Sequence, residues 1–362
     1  MIWDAIVAGA GPAGAVAAHG LARGGMRVLV LDRVAAGPKI GEALPGAASR
    51  LLARNGLPVP SVGDGHWRLT GTLSAWGDDA LEGTDFLRDP DGPGWRLERA
   101  RFDAGLRIAA QEAGAVLHPA RLRAVEAADD GWRITADDGT AFQAARLVDA
   151  TGRAAAVARR LGARRLREDD LVAVYGVGRG AGASCLARTL VEARPEGWWY
   201  AARLPAGGVL ASFQVRAAEA RRLLDCRAQP TAWLEAVQAT LHVRAALADV
   251  TFADRPRAVE AGSARSSCIG GEGWIACGDA ALAFDPISGQ GLFSALYGGV
   301  LAAGVLLAPE GQRGTRLAAY IERHAAIRRA YRHRYDLTYA AEQRWPDLPF
   351  WASRTGRVRN TA

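Results

Sequence analysis

Lysine is almost missing from this sequence: among 45 basic residues in 362, Lys39 is the only lysine and arginine supplies the rest. A net charge of +7 built this way points to coding bias rather than selection for phosphate contacts. The pairs Arg159-Arg160, Arg164-Arg165 and Arg328-Arg329 sit among Glu and Asp as solvated faces do. No base-reading or stacking motif accompanies them, so nucleic acid is not expected as a partner. Cysteine is scarce too. Cys185, Cys226, Cys268 and Cys277 are scattered without C-x-x-C spacing, which argues against a zinc site, any other metal and a disulfide framework, and favours reduced thiols in the cytoplasm. A targeting segment is not expected, because Asp4 interrupts the apolar N-terminus and no basic stretch precedes it. One long run, residues 292–308, carries no charge; with Gly298, Gly299 and Gly304 it reads as a buried helix packed on a sheet rather than a membrane anchor.

What is present is 49% apolar residues, enough for a pair of domains. The short apolar run Ala5-Ile6-Val7-Ala8 leads into Gly9-Ala10-Gly11-Pro12-Ala13-Gly14, then a helix-forming stretch, then the strand-like Arg27-Val28-Leu29-Val30-Leu31 ending at Asp32. In such a unit the first glycine makes the tight turn, the second admits a pyrophosphate to the backbone, and the third lets helix and strand touch. The helix N-terminus offers free N–H groups, and Asp32 can accept from a ribose hydroxyl. That predicts dinucleotide binding, with Pro12, Ala13 and Arg33 in the same contact set. Far along the chain Trp274-Ile275-Ala276-Cys277 delivers Gly278 and Asp279, and Pro286 with Ser288-Gly289-Gln290-Gly291 opens a long apolar helix at Leu292. An Asp in that place can accept from a ribityl chain, and a helix start can stabilise charge on a reduced flavin. FAD, rather than NAD, is the cofactor expected.

These motifs, together with Lys39-Ile40-Gly41-Glu42-Ala43-Leu44-Pro45, Arg99-Ala100-Arg101-Phe102-Asp103 and Asp149-Ala150-Thr151-Gly152-Arg153, resemble those of the FAD-dependent monooxygenases with the para-hydroxybenzoate hydroxylase fold. Within that family the chain looks like the branch of the flavin-dependent halogenases and the flavoproteins that mature tryptophan-derived quinone cofactors. The resemblance implies an α/β fold with a Rossmann-like FAD domain, a discontinuous β-rich substrate domain and a helical C-terminal part. It adds Gly41, Glu42, Arg99 and Gly152 to the cofactor contacts, and oxygen transfer through a flavin C4a-hydroperoxide to the chemistry. Ala43 stands where the branch usually has Ser or Thr.

The expected FAD domain comprises 1–57, 96–165 and 266–345, the substrate domain 58–95 and 166–265, and 346–362 an irregular tail. Asp137-Asp138-Gly139-Thr140 reads as a hairpin turn, and Gly176 to Gly182 as a mobile hairpin or edge feature rather than a second nucleotide loop. Reduced nicotinamide would then visit transiently, or a separate flavin reductase would supply electrons. Pro286, Gly289 and Gln290 are the expected shapers of the reaction pocket. In Glu196-Gly197-Trp198-Trp199-Tyr200, Trp198 is the expected aromatic wall; simple packing of the sheet is the competing reading. The function expected is hydroxylation by molecular oxygen of an indole- or phenol-like substrate, free or borne by a peptide or protein. The alternatives are halogenation, which the lack of any lysine after Lys39 disfavours, reduction of an isoprenoid, and a non-catalytic maturation flavoprotein.

Overall fold

The computed structural model describes residues 2–33, 39–224 and 231–355; Cys226 and the last residues of the expected tail lie outside them. Five short segments form the parallel part of a six-stranded sheet, in the order Trp274–Ala276, Leu147–Asp149, Ala5–Ala8, Val28–Leu31 and Val116–His118, with Gly270–Gly271 antiparallel at one edge. Ala5–Ala8, Val28–Leu31 and Trp274–Ala276 are apolar and buried throughout, as strands covered on both faces are. Because they are parallel, their C-terminal ends share one edge. The segments beginning at Gly9, Asp32, Ala150 and Gly278 leave the sheet there, the place where open parallel sheets bind ligands.

The helix Pro12–Arg23 covers one face, and the helix Gly291–Leu306 lies across it. Small residues permit that crossing. A Cβ on Gly299 would stand 2.4 Å from the Ala13 carbonyl oxygen, and one on Gly20 2.9 Å from the Ala303 Cβ. Gly299 thus serves a helix–helix contact, Gly298 meets Gly278 N and Cys277 at the end of the strand Trp274–Ala276 in line with the expected sheet contact, and Gly304 faces open space. Among the described residues no helix is long and apolar enough to cross a membrane.

A seven-stranded sheet forms the second unit, running Arg257–Glu260, Leu171–Gly178, Val209–Arg216, Gly197–Arg203, Thr189–Arg194, Gly71–Ala75 and Glu82–Asp85. Its alternation is strict. Trp199, stacked on Phe213 at 4.5 Å, points to one side, where Trp233 and the helices after the sheet close a core. Trp198 and Tyr200 point to the other side, toward the C-terminal helices. The strand Leu171–Gly178 pairs on both sides only over 172–175; Gly176, Val177 and Gly178 pair with Val209–Ala211 alone, so the glycine segment begins as the end of a strand with one open side, in line with the expected edge feature. The hairpin turn at 137–140 joins Gly131–Ala136 to Ala141–Ala144 as expected. The segment 58–95 is split: Trp67–Leu69 pairs with Gly94–Arg96, which also pairs with Ala43–Leu44, while Gly71–Ala75 joins the large sheet. The tail is not irregular where it is described, since Pro349–Arg354 is helical and buries Phe350 and Trp351.

Candidate active site

The first turn is built to leave room for something besides protein. Gly9 has φ +102°, and a Cβ there would lie 2.3 Å from the Ala150 carbonyl oxygen. A Cβ on Gly14 would lie 1.9 Å from the Gly9 oxygen, whereas one on Gly11 would meet nothing within 4 Å. Two glycines are thus needed by the fold, and the third opens the surface where a phosphate would approach. Gly11 begins the helix with no side-chain cap and no acidic residue in the first turn, so the N–H groups there are free to bind an anion. The Asp32 carboxylate accepts from Ala10 N–H at 2.6 Å, which holds the acid beside the turn. Arg33 pairs with Asp137 at 2.9 Å. Gly152, at the end of the neighbouring strand, is also open to space.

At the far end Gly278 packs against Ala13, its would-be Cβ 2.8 Å from the alanine Cβ, and delivers Asp279 to the same edge. Asp279 pairs with Arg153 at 3.6 Å and keeps about a third of its side chain, 35%, exposed. Burial holds its carboxyl above the ordinary range, against the pull of Arg153, Arg165 and Arg99. Such a group gains from hydroxyl donors. The loop 286–290 follows: Asp285 caps it by accepting from Ile287 N–H at 2.9 Å, and Gly289 and Gly291 both face open space. Helix Gly291–Leu306 starts at Gln290 without a side-chain cap or first-turn acid, leaving a second set of free donors, with Leu292 packed behind it. These donors and open glycines, facing one strand edge, fit an extended dinucleotide.

Asp285 itself is fully buried, and burial raises its carboxyl to about 6. Tyr339 O–H donates to it at 2.8 Å, and Trp198 N–H donates to Tyr339 at 3.0 Å. Trp198 is only 1% exposed and contacts Trp76 edge-on. That corrects the expected role of Trp198 as a wall of an open cleft: its indole fills an aromatic core that supports the loop after Asp285.

Tyr200, two residues on, reaches the cofactor side instead. Its hydroxyl donates to Glu42 of the 39–45 loop, and burial together with the Glu42 charge holds the phenol well above its ordinary range. Arg96 Nη1 lies 3.5 Å from Glu42 and 3.4 Å from Tyr200, and its Nη2 donates to Thr189 at 3.2 Å. Glu42 and Arg96 are 2% and 1% exposed, so a fully desolvated ion pair meets Tyr200 and Thr189 of the large sheet where the two units touch. Sequence reading missed Arg96 and discounted Tyr200. The nearest signal was a basic residue in an apolar strand directly before the Arg99 motif.

Arg99 was expected to touch the cofactor. In the structure it donates to the carbonyls of Ile40 at 3.0 Å and Gly41 at 2.6 Å and pairs with buried Asp103 at 3.2 Å, so it anchors the loop. Lys39 pairs with the same Asp103 at 2.8 Å. Ser212 Oγ and Gln214 Oε1, register partners of Tyr200 and Trp198, are buried without hydrogen-bond partners, leaving unmet polar capacity on that face. Among the described residues there is no cluster able to hold a metal, and Cys185, Cys268 and Cys277 are free thiols.

No protein-family model matches the chain. LodB of Marinomonas mediterranea, assigned as an FAD-dependent oxidoreductase, is 28% identical over 374 residues, spanning 97% of this chain and 96% of that protein. A menaquinone reductase of Mycobacterium tuberculosis is 30% identical over 328 residues, 84% of this chain and 76% of its own length. The solved structure of the peptidyl tryptophan dihydroxylase QhpG matches with a TM-score of 0.76 at 28% identity, covering 98% of this chain and 79% of that one. The myxobacterial chondrochloren halogenase CndH matches in fold with a TM-score of 0.83 at 24% identity, covering 99% and 88%. Motifs, strand edge and relatives agree: the chain is an FAD-dependent oxidoreductase and belongs to the flavoenzyme family with the para-hydroxybenzoate hydroxylase fold, in the branch of the flavin-dependent halogenases and the tryptophan-quinone maturation flavoproteins.

Proposed function

We propose that this enzyme is a monooxygenase that hydroxylates an aromatic substrate, indole- or phenol-like, free or borne by a peptide or protein. Bound FAD supplies the two-electron reduction and the activation of molecular oxygen. Gly9 to Gly14 would hold its pyrophosphate, Asp32 its ribose and Asp279 its ribityl chain, and the helix start at Gly291 would face the ring. Arg99 and Asp103 fix the 39–45 loop, and the buried pair Glu42 and Arg96 holds the substrate sheet against it. The aromatic core around Trp198 and Tyr339 holds Asp285 and so supports the loop 286–290 from behind. Tyr200, Ser212 and Gln214 offer the polar contacts that an indole N–H or a phenol would use.

The observation that carries this reading over halogenation is the state of Lys39. The chain's one lysine is ion-paired with buried Asp103, the carboxylate that also holds Arg99. The likeness to QhpG, a peptidyl tryptophan dihydroxylase, supports hydroxylation. The likeness to a menaquinone reductase supports a second reading, reduction of an apolar isoprenoid-bearing substrate. Electrons would come from NAD(P)H visiting transiently or from a separate flavin reductase.

The test is turnover of indoles, phenols and tryptophan-containing peptides by the FAD-loaded enzyme under a reducing system. The expected result is oxygen uptake matched by a product heavier by one oxygen. Incorporation of chloride or bromide, or reduction of a quinone side chain without oxygen consumption, would overturn it.

A further inference from the structure

Trp345 is the partly exposed end of a run of oxidisable rings that begins beside the loop 286–290. Tyr339 stands at the inner end, its hydroxyl donating to Asp285 at 2.8 Å. Its ring centroid lies 6.1 Å from that of Trp351, and Trp351 lies 6.1 Å from Trp345. Trp76 bridges the inner rings, 5.9 Å from Tyr339, 5.3 Å from Trp351 and 6.4 Å from Trp198. These are ordinary spacings for packed aromatic pairs, so ring meets ring at every step from Asp285 to the surface.

Packing alone does not ask for these ring types. Phe or Leu fills a dry core as well, whereas Tyr and Trp bring an O–H or N–H that must be matched. Here each tryptophan of the inner cluster is matched: Trp76 donates to the Thr338 carbonyl at 2.8 Å, Trp351 to that of Arg194 at 3.0 Å and Trp198 to Tyr339 at 3.0 Å. The core on the other face of the sheet differs. There Trp199 and Trp233, 0% and 1% exposed, are flanked by Phe213 and Phe252, and among the described residues the Trp199 N–H finds no partner. What Tyr and Trp have, and Phe and Leu lack, is a ring that readily gives up one electron. Tyrosine does so only if its phenolic proton has somewhere to go. Asp285, fully buried and within proton-transfer reach of Tyr339, is that acceptor. Burial holds its carboxyl at about 6, so near neutral pH it can take a proton and return it.

We propose that Tyr339, Trp351 and Trp345 form an electron path that carries oxidising equivalents from the flavin side to the surface, sparing the interior when oxygen is activated with no substrate to receive it. The oxidant is an oxygen-derived radical at the loop 286–290. It gains one electron from Tyr339, whose proton passes to Asp285. Trp351 then gives one electron to Tyr339, the proton returns from Asp285, and Trp351 is left as a radical cation. Trp345 supplies the electron that restores Trp351, and a thiol in solution restores Trp345, losing one electron and one proton. Tyr339, Asp285 and both tryptophans end unchanged. The path depends on bound FAD meeting oxygen and on no particular substrate.

The test cycles the full FAD-loaded chain in air with a reducing system and no substrate, with catalase and superoxide dismutase present to remove freely diffusing oxidants. Oxygen additions are mapped by peptide mass spectrometry. Trp345 is expected to collect most of them, ahead of Trp67, which is 36% exposed but lies in the small sheet with Gly94–Arg96, outside the cluster. Added thiol should suppress the additions at Trp345, and the FAD-free chain should show no preference for it. Trp345→Phe and Trp351→Phe should each move the additions inward to Tyr339, Trp76 and Trp198. Trp233→Phe, in the other core, should leave the wild-type map unchanged. The proposal is overturned if Trp345 is not favoured over Trp67 in the wild type, or if the two Phe variants leave the inner rings untouched. Should either variant not fold, the wild-type map and its response to thiol still decide.

Discussion

The Tyr200 hydroxyl donates to the Glu42 carboxylate, joining residues 158 positions apart and tying the substrate sheet to the flavin-side loop. Arg96 neutralises the acid from the other side. Arg96→Met should therefore strand a buried charge and destabilise the fold by about 3–5 kcal/mol, while adding Glu42→Gln to it should recover much of the loss. Urea unfolding of the two single variants and the double variant measures this coupling. Additive losses would mean that the pair does not act as a unit.

Gly11 and Gly14 make an opposed pair of predictions. Gly14→Ala places a methyl group 1.9 Å from the Gly9 oxygen and should lower stability by about 1–3 kcal/mol or more. Gly11→Ala meets no protein atom within 4 Å and should fold normally, yet weaken FAD binding about tenfold or more by crowding the phosphate. Melting temperature of the apoprotein and a fluorescence titration with FAD separate the two. Equal FAD affinity for wild type and Gly11→Ala would remove the pyrophosphate from this turn.

Asp279→Ala should cost FAD affinity rather than stability. Asp279 keeps 35% of its side chain exposed beside Arg153, and its carboxyl is desolvated enough to be held above the ordinary range. Donors on a ribityl chain would relieve that, and their loss is worth about 1.5–3 kcal/mol for bonds to a charged acceptor. Asp279→Asn, which keeps an acceptor, should restore part of the affinity in the same titration.

Stability should fall with rising pH through Asp285. Its carboxyl lies at about 6 in the folded protein against 3.8 for a free one, so the folded state holds the proton more tightly. The stabilisation is complete below the unfolded value and is lost as pH rises through about 6, by about 3 kcal/mol at most. Asp285→Asn should flatten the change in unfolding free energy between about pH 4 and about pH 6.5. Parallel wild-type and variant curves would mean that Asp285 titrates normally.

Much of the fold was legible because it is local. Glycine spacing, apolar strand runs and the turn at 137–140 encode their conformations within a few residues, so the cofactor edge could be read directly. The site's second layer was not. Arg96 and Glu42 are 54 positions apart, and Lys39 and Asp103 are 64 apart; such pairs depend on how sheets dock, which no local pattern records. Trp198 and Tyr200 share a face by strand alternation, but only the docked C-terminal helices decide that the first is core and the second reaches Glu42. The helix Pro349–Arg354 was missed for a similar reason: six residues behind a proline give little periodicity, and tertiary burial of Phe350 and Trp351 holds them.

The crossing of helix Gly291–Leu306 over helix Pro12–Arg23 has a consequence for biosynthesis. During translation the small-residue face of the earlier helix has nothing to lie against until the later one leaves the ribosome, so cofactor loading belongs to the finished polypeptide, and prematurely terminated chains would be substrates for proteolysis rather than partly active flavoproteins.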